Sequence, residues 1–209
     1  MPITHVGMSK VKMKKNNNGN NRYEVRLSGS GGQGLVLAGV ILAEALGIHE
    51  GKNVAQTQSY GPEARGGASR SDVVVSNDDI YYPKTTDLDL LLCLTQESCD
   101  EYYKDLKEDG ILIVDSERVR QLPTHKAFSI PFIRTAKDKV GTPVVANVVS
   151  LSAIAAISGI CTRESIASAV LKRAPRGTEE KNKLACDLGY ELGIQARKDR
   201  NERKIASNY

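Results

Sequence analysis

The sequence predicts a three-layer α/β domain: a mostly parallel sheet with helices on both faces and further helices appended at the C-terminus. Three observations predict it. Short β-type runs alternate with helix-length apolar patterns, the order that parallel strands joined by crossover helices require. One run, Asp87 to Thr95 (DLDLLLCLT), is apolar almost throughout and fits a strand buried on both faces. Tyr23 to Gly47 (YEVRLSGSGGQGLVLAGVILAEALG) sets a strand, a glycine-rich turn and an apolar helix in immediate succession.

The first strand, Tyr23 to Ser28, alternates Tyr23, Val25 and Leu27 with Glu24, Arg26 and Ser28. A central parallel strand is normally apolar on both faces, so this one is expected to be partly exposed or covered by a partner. The turn Gly29-Ser30-Gly31-Gly32-Gln33-Gly34 follows, and Leu35 to Leu46 reads as a helix that stops at Gly47. Apolar residues occupy nearly the whole circumference of that helix, which argues for burial on more than one side. This Rossmann-like unit fits G-x-G-x-x-G, with Gly29, Gly31 and Gly34 in the glycine positions. Glycines let backbone approach a ligand closely, and the helix N-terminus offers unpaired N–H groups and a positive dipole end to phosphate. The same glycines also serve close strand–helix packing with no ligand.

After a connector from Ile48 to Lys52, Asn53 to Tyr60 reads as a second strand whose end carries Ser59 and Tyr60. Gly61 to Arg70 (GPEARGGASR) is a loop: Gly-Pro and Gly66-Gly67 call for special backbone geometry, and Arg65 and Arg70 flank that glycine pair. Ser71 to Ser76 is the next strand. Beyond the buried run, Thr95 or Ser98 caps a helix expected to reach Asp109 and stop at Gly110. Strands follow at Ile111 to Val114, ending at Asp115, and at Ala127 to Phe132. Thr142-Pro143 starts a helix that ends at Gly159, Thr162 opens one to about Arg173, and Thr178 caps a last one to about Lys198.

The balance of charge separates a body from a tail. Of 29 basic residues, Lys10, Lys12, Lys14, Lys15 and Arg22 precede Tyr23 with no acid among them, which leaves 24 basic against 25 acidic residues in the remainder. The expected organisation is a basic, disordered tail at 1–21, a folded domain at 22–200 and a charged end at 201–209. Aromatic residues are few, with eight Tyr, two Phe and no Trp, which disfavours a base-stacking surface, and the basic tail has no aromatic or structural motif; no nucleic-acid partner is expected. The apolar stretch from Pro143 to Ile157 is interrupted by Asn147, Ser150 and Ser152, and is too short and polar to span a bilayer. Cys93, Cys99, Cys161 and Cys186 have no C-x-x-C spacing, so neither a zinc site nor an iron–sulfur loop is indicated. With no secretory signal, a reducing cytoplasm and buried free thiols are expected.

Sheets of this kind bind ligands outside the carboxyl ends of their strands, which brings the glycine turn and the Gly61–Arg70 loop to one edge. A nicotinamide dehydrogenase would carry an acid at the end of the second strand, where Gln58-Ser59-Tyr60 stands instead, and no G-K-[ST] follows the glycines as in a P-loop. Backbone N–H groups with the guanidinium forks of Arg65 and Arg70 suit a pyrophosphate or ribose phosphate. The same irregular loop suits a contact with another subunit, and the two roles are compatible. Asp115 reads as a turn or cap residue, the histidines as surface residues, and Asn147 either satisfies a backbone group or reaches the ligand edge.

GSGGQG at Gly29–Gly34 followed by QSYGPEARGGASRSDVVVS at Gln58–Ser76 resembles the gamma subunit of the 2-oxoacid:ferredoxin oxidoreductases, and so do Asn147 in its apolar helix and KNKLACDLGYELG at Lys181–Gly193. The similarity covers roughly Tyr23 to Ala196, is strongest to the 2-oxoglutarate type, and extends to pyruvate, 2-oxoisovalerate and indolepyruvate enzymes. It implies a subunit of an enzyme that converts a 2-oxoacid and coenzyme A to acyl-CoA, carbon dioxide and reduced ferredoxin. It also implies coenzyme A binding and subunit packing for this domain, and with the glycine turn and arginine loop the expected coenzyme A site is Gly29, Gly31, Gly32, Gln33, Gly34, Ser59, Tyr60, Arg65, Gly66, Gly67 and Arg70. No G-D-G segment for thiamine diphosphate occurs in the chain and its cysteines are scattered, so thiamine diphosphate, magnesium and the iron–sulfur clusters are expected on partner subunits, with ferredoxin reached through the complex. The alternatives are a non-catalytic nucleotide-binding or assembly subunit, or an indolepyruvate-type subunit.

Overall fold

A computed structural model describes residues 22–59 and 69–206, with side chains through residue 202. The N-terminal tail lies outside the described residues, as do Tyr60, Arg65, Gly66 and Gly67. Six strands form one sheet in the order β2-β3-β1-β4-β5-β6. They are β1 Arg22–Gly29, β2 Asn53–Ser59, β3 Ser69–Ser76, β4 Leu88–Cys93, β5 Leu106–Asp115 and β6 Phe128–Ile130. β1, β4, β5 and β6 pair in parallel, while β3 runs antiparallel to both β1 and β2, so five strands share a direction and β3 alone is reversed.

Helices α1 Leu35–Glu44, α4 Ala146–Ser158, α5 Arg163–Arg173 and α6 Glu179–Ala206 cover one face, and α2 Gln96–Tyr102 covers the other. The larger core joins Val25, Leu27, Val73, Val75, Leu90 and Leu92 of the sheet to α1 and α4. The smaller joins Leu91, Cys93, Leu112 and Val114 to Cys99 and Tyr102. α4 is buried along its whole length, and α6 crosses it closely because Gly189 and Gly193 have no side chains to hold the helices apart. That crossing is the physical content of the glycine spacing in KNKLACDLGYELG.

β1 is the centre of the sheet and buried from Tyr23 to Gly29, which corrects the expectation of a partly exposed strand. Its polar residues face the α2 side, where each finds partners. Arg26 holds Asp72 on the neighbouring strand through two bonds, Nε to Oδ1 at 2.7 Å and Nη2 to Oδ2 at 2.9 Å, and reaches Asp105 at 2.5 Å. Glu24 accepts the backbone N–H groups of Thr86 and Asp87 at 2.6 and 3.0 Å. Alternation meant pairing rather than exposure.

The other departures are local. Thr95 does cap α2, accepting Ser98 N–H, but the helix gives way to a 3-10 turn at Tyr103–Asp105, and Leu106 to Gly110 begin β5, with Leu106 opposite Leu88 across an irregularity in the β4 ladder. α3, Phe132–Thr135, was not anticipated; it begins inside the expected sixth strand and widens into a π-type turn to Val140. α1 ends regular winding at Glu44 and widens through Ala45–His49, while α6 runs on past Lys198 to Ala206. Thr142 caps a 3-10 turn before α4, and Gly159 in the left-handed conformation ends it.

Candidate functional site

The glycine turn sits at the carboxyl edge of β1, and pairing carries the flanks of the second loop to it. Gly29 lies opposite Ser69, Ser28 opposite Arg70, and Ser59 at the end of β2 opposite the same Arg70. The connection between Ser59 and Ser69 therefore leaves the sheet at the same edge as the glycine turn, one strand removed from Gly29, and re-enters beside Gly29, as the carboxyl-end rule predicts.

Within the turn the glycines have different tasks. Gly31 and Gly32 are exposed, and a methyl group added at either would meet no atom of the described residues within 4 Å. Gly32 and Gly34 have φ of +84° and +71°, the left-handed region that L-residues avoid. A methyl group at Gly34 would lie 2.5 Å from Asn147 Nδ2, and one at Gly29 would run into the Gln33 side chain. Gln33 closes the turn: its Oε1 accepts Ser30 N–H at 2.8 Å. Gly34 begins α1 with no side-chain cap, so among the described residues the N–H groups of its first turn have no side-chain partner.

Asn147, buried near the start of α4, donates from Nδ2 to the Gly34 carbonyl at 3.2 Å, and its Oδ1 accepts Val148 N–H. This bond spans 113 residues and brings the N-terminal ends of α1 and α4 together at the turn. Asn147 thus satisfies a backbone group, the first of the two alternatives open from the sequence, and does so at the glycine turn. Gly34→Ala is expected to cost about 1–3 kcal/mol through the forced left-handed backbone alone. In a chain that already carries Asn147→Ala the measured penalty should fall, because the contact with the amide is gone. Denaturant midpoints of the two single variants and the double variant check this; strict additivity would refute it.

Arg70 takes a direction the sequence did not reveal. Its guanidinium lies 5.4 Å from the centroid of the Tyr102 ring, beside Arg26 at 4.9 Å, on the α2 face of the sheet and away from the face that α1 covers. Antiparallel pairing decides this, because residues directly opposite share a face and Arg70 is opposite Ser28, in line with Arg26 and Asp72.

The remaining titratable groups are occupied structurally. Buried Asp115 accepts N–H groups from Glu117 and Arg118 on Oδ1 and from Ile133 on Oδ2, so it fastens the turn after β5 to the start of α3. All four cysteines are free and buried; burial pushes the Cys161 thiol up to about 12 and Cys186 up to about 11, and raises Cys93 well above the ordinary thiol value. Those three are core thiols rather than nucleophiles, whereas the hydrogen bond with Cys93 lowers the thiol of its buried neighbour Cys99. His49 and His125 are exposed. Among the described residues, no three His, Cys, Asp or Glu side chains are grouped so as to hold a metal ion, and no helix is long and apolar enough to cross a membrane.

Residues 24–192 match the pyruvate ferredoxin/flavodoxin oxidoreductase family. The chain is 47% identical over 175 residues, 82% of its own length and 94% of the relative's, to the 2-oxoglutarate synthase subunit KorC of Methanocaldococcus jannaschii. Among solved structures it is similar to the keto/oxoacid ferredoxin oxidoreductase gamma subunit of Geobacter sulfurreducens PCA, with a TM-score of 0.78 and 48% identity over 84% of this chain and 98% of that one. It shares the fold of the 2-oxoglutarate:ferredoxin oxidoreductase of Magnetococcus marinus, solved with 2-oxoglutarate, coenzyme A and succinyl-CoA bound. There the TM-score is 0.73 at 19% identity, over 83% of this chain and 31% of that one.

Proposed function

The chain belongs to the pyruvate ferredoxin/flavodoxin oxidoreductase family, and from that premise we propose that it is the gamma-type subunit of a 2-oxoglutarate:ferredoxin oxidoreductase that receives coenzyme A at the carboxyl edge of β1. The family match over residues 24–192 and the KorC relative support the assignment to a subunit of that complex. Thiamine diphosphate, magnesium and the iron–sulfur clusters belong to the partner subunits in this reading. They supply decarboxylation and electron transfer to ferredoxin, for which this chain has neither a G-D-G segment nor grouped thiolates. The task left to this chain is to bind and orient coenzyme A.

One observation carries the site: Gly31 and Gly32 stand open at the edge where α1 begins without a side-chain cap. The turn amides and the first-turn N–H groups of α1 donate to phosphate oxygens, and the positive end of α1 favours their charge. Arg65, in the connection that re-enters the sheet beside Gly29, adds a bidentate donor in this reading. Arg70 joins it only by leaving the Tyr102 ring, so Arg65→Ala is expected to weaken coenzyme A more than Arg70→Ala.

Gly31→Val is the cleanest test. Its φ is not positive and an added Cβ meets nothing among the described residues, so the side chain should obstruct a ligand without straining the turn. In the assembled complex the coenzyme A requirement should rise roughly ten- to a hundredfold for Gly31→Val and Arg65→Ala, the loss of one or two charge-assisted bonds, with 2-oxoglutarate affinity unchanged. Gly32→Val should act in the same direction with added backbone strain. Variants that assemble normally and titrate with coenzyme A like the parent would show that the ligand binds elsewhere.

A further inference from the structure

The two edges of the sheet are finished differently. β6 is three residues long, and Arg200 of α6 lies over its Phe128 ring at 4.5 Å. β2 is seven residues long, pairs with β3 in unbroken register without a bulge, and no described strand pairs with its outer side. Its sequence, NVAQTQS, holds no charge and no proline. Proteins that expose an edge strand to water blunt it with lysine, proline or a bulge, because a row of free backbone donors and acceptors pairs with any extended chain. β2 carries none of these devices.

A second observation concerns α1, which runs alongside. Added methyl groups at Gly39 and Gly47 would lie 3.5 Å from Gln56 Nε2 and 3.7 Å from Val54 Cγ2, so this flank of the helix lies over β2. Next to them Val36, Val40 and Ala43 are only half-buried, Leu37 is 45% exposed and Ile48 is 70% exposed. The sheet, α4 and α5 cover the rest of this helix, so burial on more than one side holds and only this flank stays partly open. The uncovered stripe and the open strand form a single surface that reaches from Ile48 to Ser59 and Leu37 beside the glycine turn.

We propose that this surface is where another subunit of the complex docks, by adding an extended, uncharged segment to β2 and seating apolar side chains along Val36, Val40 and Ala43. This rests on the reading of the chain as a subunit whose electron carriers lie on other chains. Continuity with the coenzyme edge selects that occupant: a subunit carrying the reacting cofactor has to abut the edge where coenzyme A is held, and this surface opens onto it. Main-chain bonds to β2 supply affinity, and the alternate side chains of the added segment supply specificity.

The test uses the full complex captured through a tag on a partner subunit, with subunit stoichiometry read by native mass spectrometry in the absence of coenzyme A. Ala55→Lys in β2 and Val40→Glu in α1 should each weaken incorporation of this chain roughly thirtyfold or more, as loss of an interface hot spot does. Both free chains should keep the parent's melting temperature. Tyr81→Glu, 88% exposed in the loop between β3 and β4 at the opposite end of the strands, should assemble like the parent. Normal incorporation of both β2 and α1 variants, or a block by Tyr81→Glu alone, would overturn the proposal. So would a stable dimer of the isolated parent chain that the same variants dissociate, because a second copy would then own the surface. Assembly is read without coenzyme A, so a failed coenzyme titration in a normally assembled complex refutes the ligand site and leaves the docking surface standing.

Discussion

Arg26→Met should lower the stability of the isolated chain by about 3–5 kcal/mol, the cost of stranding a buried charge without its partner. Arg26 and Asp72 are both buried at the centre of the sheet, and the arginine holds both carboxylate oxygens. Methionine keeps most of the volume and the contact with Tyr102 but donates nothing. Asp72 would retain only the Thr85 hydroxyl, at 2.7 Å, while Asp105, whose side chain is 35% exposed, turns to water. Arg26→Met combined with Asp72→Leu should recover most of the loss, since an apolar pair of similar volume needs no compensation. Urea midpoints of the three variants decide it. A single variant within about 1 kcal/mol of the parent, well below the cost expected for breaking a buried pair, would mean that water reaches Asp72 and that the network is not closed.

Gly189→Val in α6 is expected to cost a further large amount, about 3–5 kcal/mol, from overpacking that no rotamer change relieves. The added Cβ would fall on the backbone of Val149, within 2.9 Å of its Cα and carbonyl carbon and closer still to its oxygen. α4 is buried on every side, so it cannot retreat, and α6 has to swing out. Gly193 is constrained in the same way by Ala156 Cβ at 2.7 Å and Ala153 O at 2.8 Å, so a shift along the helix offers no escape. At about 2–4 °C per kcal/mol for a domain of this size, melting should fall by roughly 6–20 °C. Lys181→Val, on the solvent side of the same helix, should stay within about 0.5 kcal/mol. Equal melting temperatures for the Gly189 variant and the parent would show that the helices are not in contact at that crossing.

The chain's local chemistry was readable residue by residue. The Thr95, Thr142 and Thr162 caps, the stops at Gly159 and Arg173, and the apolar β4 run all depend on neighbours within a few positions, and each lies where spacing put it. The glycine turn was equally plain, because a strand, three glycines and an uncapped helix occupy consecutive residues. Leu106 to Gly110 was misread for the opposite reason: its assignment to β5 follows from a pairing with Leu88, and no local signal carries that.

The sequence by itself therefore determined the layered α/β class, the position of the turn at a strand's carboxyl end and the family to which its motifs belong. Only the tertiary structure decided where the polar half of β1 goes, which face Arg70 takes and what Asn147 holds. Each of those is settled by a residue far along the chain: Asp72 for Arg26, Ser28 and Tyr102 for Arg70, and the Gly34 carbonyl for Asn147. Hydrophobic period and capping are short-range and survive in a list of residues. The partner of a buried charge, and the face a side chain meets after an antiparallel return, exist only once the sheet has chosen its strand order.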